Sequence, residues 1–117
     1  MTQHDPFVRI AHMRDYATEA IALLGTRTVK EFEGERILQL ALVRLVEVIG
    51  EAASKVEEDF RARYPIVPWR EAVAMRNLLV HGYDIIDHGI LWETIKTDLP
   101  PLVEQLQSIL AEWESEK

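Results

Sequence analysis

The chain contains no cysteine. Disulfides, thiolate zinc sites and cysteine nucleophiles are excluded together. The absence fits a reducing compartment, and a cytoplasmic location is the expectation. No apolar run approaches the roughly 18 residues of a membrane span, so no membrane association is expected. The opening Met-Thr-Gln-His-Asp-Pro is polar and carries no signal-peptide pattern. Internal repeats and low-complexity tracts are also missing. Positive charge is scarce: 13 Lys and Arg stand against 20 Asp and Glu, a net charge of -7. General nucleic-acid affinity depends on cations that neutralise phosphates, so this balance counts against it. It also favours solubility and disfavours anionic membranes.

The 117 residues suit one domain, spanning residues 1–117. At this size roughly two thirds of the unfolded surface can be buried, enough for one core. With 48% hydrophobic and 28% charged residues, the composition is that of a folded soluble chain.

The patterning is helical throughout. Asp5-Pro6 has the form of a cap followed by proline. Ile10, Met13, Ala17, Ala20, Ile21 and Leu24 then recur at helical spacing, and Gly25 reads as the stop. Thr28 and Glu31 form a capping-box pattern. Apolar residues at helical spacing follow over residues 29–63. One helix of that length would run ~50 Å, against a radius of gyration near ~13 Å for such a domain. It must therefore kink, with Gly34 and Gly50 as candidate sites, or project into a partner. Residues 37–49 are apolar on more than one face, as in the core of a homodimer.

Pro65 and Pro68 bracket a connector. A third helix is predicted over residues 69–81, a loop over 83–89 with Asp87 as a cap, and a short helix over 90–96. Asp98, Pro100 and Pro101 are expected to restart the chain into a last helix over 102–113. No segment alternates with period two, so no sheet is expected. The sum is an all-α fold, an antiparallel bundle of four to five helices.

The segment richest in chemistry is Arg76-Asn77-Leu78-Leu79-Val80-His81-Gly82-Tyr83. It spaces a permanent cation, a side chain that titrates near neutrality and a phenol as Arg-x4-His-x-Tyr. On a regular helix Arg76 falls among Trp69, Ala72, Val73, Leu79 and Val80, on the packing arc. A buried cation needs a partner, so Arg76 would face a partner group or an interface. His81 lies ~140° round from Arg76, so one regular helix does not bring them together. A break at Gly82, or a second chain across a twofold axis, would. Such a cleft suits metal-free RNA cleavage. A histidine moves a proton at the ribose 2′-hydroxyl or the leaving 5′-oxygen. An arginine fork steadies the scissile phosphate. Asn77 shares a face with His81 and could orient either group.

Arg76-x4-His81-Gly82-Tyr83 resembles the signature of the HEPN superfamily, and of its HepT-like ribonuclease toxins in particular. Pro68-Trp69, Met75-Arg76-Asn77, Ile49-Gly50-Glu51-Ala52, Leu91-Trp92-Glu93-Thr94-Ile95 and Asp98-Leu99-Pro100 extend the similarity over nearly the whole chain. The resemblance implies a HEPN-type helical bundle that dimerises around the motif helix. It implies a metal-independent endoribonuclease with no cofactor, acting on RNA, with tRNA among the family's substrates. Arg76 and His81 would be the catalytic pair and Asn77 a supporting residue. The implied partner is a small (MNT) nucleotidyltransferase antitoxin that transfers AMP from ATP to Tyr83. Negative charge and bulk there would close an RNA site.

Bland readings stand beside these. An arginine and a histidine at a helix end can simply serve the last carbonyls and the dipole. The chain could be a non-catalytic HEPN partner module for a nucleotidyltransferase, or a plain dimerisation scaffold. Glu47 and Glu51 could form a carboxylate pair, but pairing of Glu47 with Arg44, or of Glu51 with Lys55, is the simpler reading. His4, His12 and His88 have no ligand-like spacing. Trp69, Trp92 and Trp113 read as core or interface. Arg61, Arg63 and Arg70 form a loose basic cluster that could meet RNA, the antitoxin or only solvent.

Overall fold

The computed structural model describes residues 5–77, 80–81 and 85–116, with Val80, His81 and Ile85 described by backbone alone. Helix α1 (Pro6–Leu24) begins as its local chemistry dictates. The Asp5 carboxylate accepts from the Phe7 N–H at 2.8 Å, and Pro6 supplies a helical φ without needing a partner for an N–H. The helix ends at Gly25, whose φ of 59° is left-handed and whose N–H donates to Ile21 O at 2.9 Å. Ile10, Met13, Ala17, Ala20 and Leu24 form its buried stripe.

The helical pattern over residues 29–63 is cut into three pieces. They are α2 (Val29–Glu33), α3 (Arg36–Ser54) and α4 (Glu58–Arg63). The whole molecule measures 46 Å along its longest axis, too short for the unbroken rod. Thr28 and Glu31 close the expected capping box at the start of α2. The first break falls at Gly34, one of the two candidate positions. Gln39, only 2% exposed, secures it: its amide donates to Phe32 O at 2.9 Å and Glu33 O at 3.0 Å. The second break falls after Ser54 and not at Gly50, which stays inside α3. There Arg61 donates from Nε to Val56 O at 2.9 Å and from Nη2 to Ala53 O at 3.0 Å, so its cation closes the open end of α3.

Helix α5 (Trp69–Ala74) follows the connector, with Pro68 as its cap residue. It stops well before His81, where the sequence pattern places its end. Val80–His81 (β1) instead pairs antiparallel with Ile85–Ile86 (β2), His81 opposite Ile85. This two-residue ladder, unexpected from the sequence, adds no layer to the all-α bundle. Asp87 then caps α6 (His88–Glu93), accepting from the Ile90 N–H at 3.0 Å.

The last two predicted helices are one continuous rod. Helix α6 runs through a widened π turn, Thr94–Asp98, directly into α7 (Leu99–Ser115). Proline lacks an N–H and its ring crowds the carbonyl four residues back. The wide turn, closed by the Leu99 N–H on Thr94 O, opens the helix just ahead of Pro100-Pro101 and lets it continue.

Helix α1 packs against both α3 and α7, and α5 packs on α3. Leu38, Leu42, Val46 and Ile49 of α3 and Leu102, Leu106 and Ile109 of α7 belong to one core cluster, with α1 packed against both helices. At one end Phe7 stacks on Trp113 at 4.9 Å and meets Phe60 edge-on at 5.2 Å. The apolar excess on α3 is real: Ile37 is 84% and Leu40 48% exposed.

Candidate active site

Trp69, Ala72 and Met75 are buried at three-residue intervals, fixing the inner face of α5. Trp69 is anchored further by its indole N–H, which donates to Tyr64 O at 3.0 Å. Beyond Ala74 the hydrogen bonds tighten. The N–H groups of Met75, Arg76 and Asn77 donate to Ala72 O, Val73 O and Ala74 O at 3.2, 3.3 and 3.0 Å. These three-residue steps rotate the chain by about 120° per residue instead of about 100°.

Against the expectation from the wheel, Arg76 is exposed and not buried, as is Asn77. The Arg76 backbone is what packs. It rests on Gly50 of α3, where a methyl group would stand 2.9 Å from Arg76 Cα. Helix α3 thus holds the Arg76 backbone while its guanidinium projects into solvent. Among the described residues that guanidinium has no ion pair. An exposed arginine fork on a seated backbone suits a phosphate.

The structure brings Arg76 and Asn77 side by side at the end of α5. His81 has its backbone in β1, off the helix expected to carry it. Its side chain, with Gly82 and Tyr83, lies outside the described residues. The expected helix stop at Gly82 is replaced by one at Ala74.

The remaining candidates are mostly structural. Glu51 pairs with Arg44 at 3.6 Å, a partner different from the expected Lys55. Arg61 is committed to carbonyls of the α3 end, and Arg63 lies over the Phe60 and Tyr64 rings at 5.6 and 5.5 Å. Arg70 stays exposed. Trp69 is core, Trp92 tilts against Phe32 at 5.5 Å, and Trp113 stacks on Phe7. Sequence spacing marks Gly50 only as a possible kink and misses its role as the seat of Arg76. A glycine inside an otherwise apolar helical run is the available signal.

No helix among the described residues is long and apolar enough to cross a membrane. A family model described as "Ribonuclease HepT-like" matches residues 4–109. "Putative RNase MJ1380" of Methanocaldococcus jannaschii is 31% identical over 109 residues, covering 93% of this chain and 100% of the relative. "Probable ribonuclease HepT" of Thermococcus cleftensis is 36% identical over 102 residues, 84% of this chain and 92% of the relative. "Putative RNase TTE0752" of Caldanaerobacter subterraneus is 38% identical over 81 residues, 69% and 72% of the two chains. No solved structure matches. With the motif intact and nearly the whole chain aligned, the protein belongs to the HepT-like ribonuclease family of the HEPN superfamily.

Proposed function

We propose that the chain is the toxin of a HEPN/MNT toxin-antitoxin pair, a metal-independent endoribonuclease that acts as a homodimer. The observation that carries this reading is the Arg76 guanidinium, exposed and without an ion-pair partner among the described residues, on a backbone seated against Gly50. In the proposed reaction a ribose 2′-oxygen attacks the adjacent phosphorus and the P–O5′ bond breaks. One His81 takes the 2′-hydroxyl proton, and the other copy's His81 gives a proton to the leaving 5′-oxygen. The products are a 2′,3′-cyclic phosphate and a 5′-hydroxyl. Arg76 stabilises the charge that develops on the phosphate, and Asn77 orients the reacting groups. The substrate is RNA, with tRNA as the leading candidate on the strength of the family resemblance.

Tyr83 is the regulatory handle. A nucleotidyltransferase antitoxin transfers AMP from ATP to its hydroxyl, releasing pyrophosphate and placing a phosphate at the mouth of the site.

The test is cleavage of a tRNA pool by purified protein in excess chelator, beside Arg76→Ala and His81→Ala. A charge stabiliser such as Arg76 contributes about 10²–10³-fold and an acid–base group such as His81 about 10²–10⁴-fold, so both variants are expected to lose at least about 10²-fold. Wild-type rates in both would sink the catalytic assignment. A second reading, a non-catalytic HEPN partner module for a nucleotidyltransferase, draws on the net charge of -7. An AMP adduct on Tyr83 from a wild-type chain that cuts no RNA would select it.

A further inference from the structure

A second polar feature lies outside the motif. Arg9, His12 and Tyr16 follow one face of α1 and form one wall of an open groove of about 140 Å³. Val48 and Glu51 of α3, with Lys55 at its C-cap, line the other wall.

Its charge runs against that of the chain. Several other cations are engaged: Arg14 with Asp15 and Arg27 with Glu35, each at 2.7 Å, and Lys96 with Gly25 O at 2.9 Å. Arg9 and Lys55 have no carboxylate partner among the described residues. Arg9 is half-buried, and its Nε is shielded from solvent without a hydrogen-bond acceptor. A guanidinium in that position gains from an anion with accepting oxygens. Glu51, the one carboxylate in the lining, is drawn to Arg44 at 3.6 Å. His12 and Tyr16 add two rings 6.3 Å apart, tilted by 53°. Cations interleaved with rings suit a single strand, whose phosphates and unstacked bases are both accessible.

The geometry points to the α1–α3 groove as a binding subsite for single-stranded RNA. Arg9 and Lys55 hold a phosphate there, and Tyr16 offers a face to a base. The inference rests on the ribonuclease reading for its substrate, and it resolves the charge objection to that reading. Affinity comes from a local pair of cations, not from the net charge.

The experiment uses the full chain and a fluorescein-labelled, 2′-O-methylated single-stranded RNA of mixed sequence, which binds but cannot be cut. Arg9→Gln with Lys55→Gln is expected to weaken binding about tenfold. It should also flatten the slope of log affinity against log salt by about 0.7 for each phosphate that is no longer neutralised. On the cleavable RNA the loss should appear in KM and not in kcat. Lys55→Glu, at an exposed position, gives the same test should the double variant fold poorly. Unchanged affinity and slope in a folded variant would overturn the subsite. So would polyglutamate that competes with the RNA at equal affinity through the same residues, because the groove would then be a site for acidic peptide. Cleavage by the wild type with unchanged binding by the variants sinks the subsite alone. Variant-sensitive RNA binding without cleavage sinks the ribonuclease reading alone.

Discussion

Gly50 and Arg76 meet backbone to backbone: a methyl group built on Gly50 would lie 2.9 Å from both Cα and Cβ of Arg76. No side-chain rotation relieves that contact, because the obstructing atoms belong to the main chain and its first carbon. Gly50→Ala should therefore push the end of α5 away from α3. Overpacking of this kind costs about 1–3 kcal/mol. The proposed activity should fall further than stability, by about tenfold to a hundredfold, since a shift of about 1 Å at a catalytic group has that effect. Thermal melting together with RNA cleavage well below the melting temperature separates the two. A folded Gly50→Ala protein with wild-type cleavage would show that Arg76 does not need this seat.

Local signals are legible where the chemistry is local. Asp5-Pro6, Gly25, Thr28 with Glu31, and Asp87 each act on a neighbour within four residues, and each does what its residue type predicts. The breaks in the long helical pattern are less legible because distant side chains secure them. Gln39 reaches back across Gly34, and Arg61 reaches back to the end of α3. The proline pair reads as a restart because proline usually ends a helix, whereas here a π turn absorbs it. The exposure of Arg76 escapes the sequence for a related reason. A wheel drawn to His81 cannot anticipate that α5 ends at Ala74, two residues short of Arg76.

Gln39 offers a direct test of the first break. Its buried amide satisfies two carbonyls at the end of α2. Gln39→Leu keeps the apolar fit of α3 but strands Glu33 O, while Phe32 O keeps the Glu35 N–H at 3.1 Å, so the loss is that of one acceptor, about 1–3 kcal/mol. Denaturant unfolding should show that loss as a lower midpoint at unchanged slope. A midpoint equal to the wild type would mean that Gly34 alone makes the break.

The outer face of α3 bears on the proposed homodimer. Ile37 and Leu40 are exposed beside a groove that includes Leu23 and Ala41. Ile37→Glu with Leu40→Glu should convert a dimer to monomer while leaving the helical signal intact, since neither residue is in the core. Light scattering across a concentration series reads the mass. A dimer that survives both changes must use another face, and the apolar excess on α3 would need a different explanation.

Two carboxyls should bend the acid limb of stability in opposite directions. Hydrogen bonds from the Thr28 backbone and hydroxyl hold the Glu31 carboxyl below its ordinary range. A depressed carboxyl stabilises the fold above its unfolded pKa and loses that contribution as pH falls through the folded value. Asp98 is the reverse: partial burial, then the charge of Glu93, raises its carboxyl. Its neutral form is favoured in the fold, so the relative stability it lends is full below the unfolded pKa. That contribution is lost as pH rises through the folded value. Asp98→Asn should therefore stabilise the fold at neutral pH, by no more than about 0.5 kcal/mol for a largely solvated group, and raise the melting temperature accordingly. The gain should vanish in acid, where Asp98 is already protonated. Glu31→Gln should do the opposite, lowering stability at neutral pH and converging with the wild type in acid. Melting curves from acid to neutral pH read both variants. An Asp98→Asn gain that persisted in acid would trace the effect to something other than the ionised carboxyl, such as better packing around the π turn.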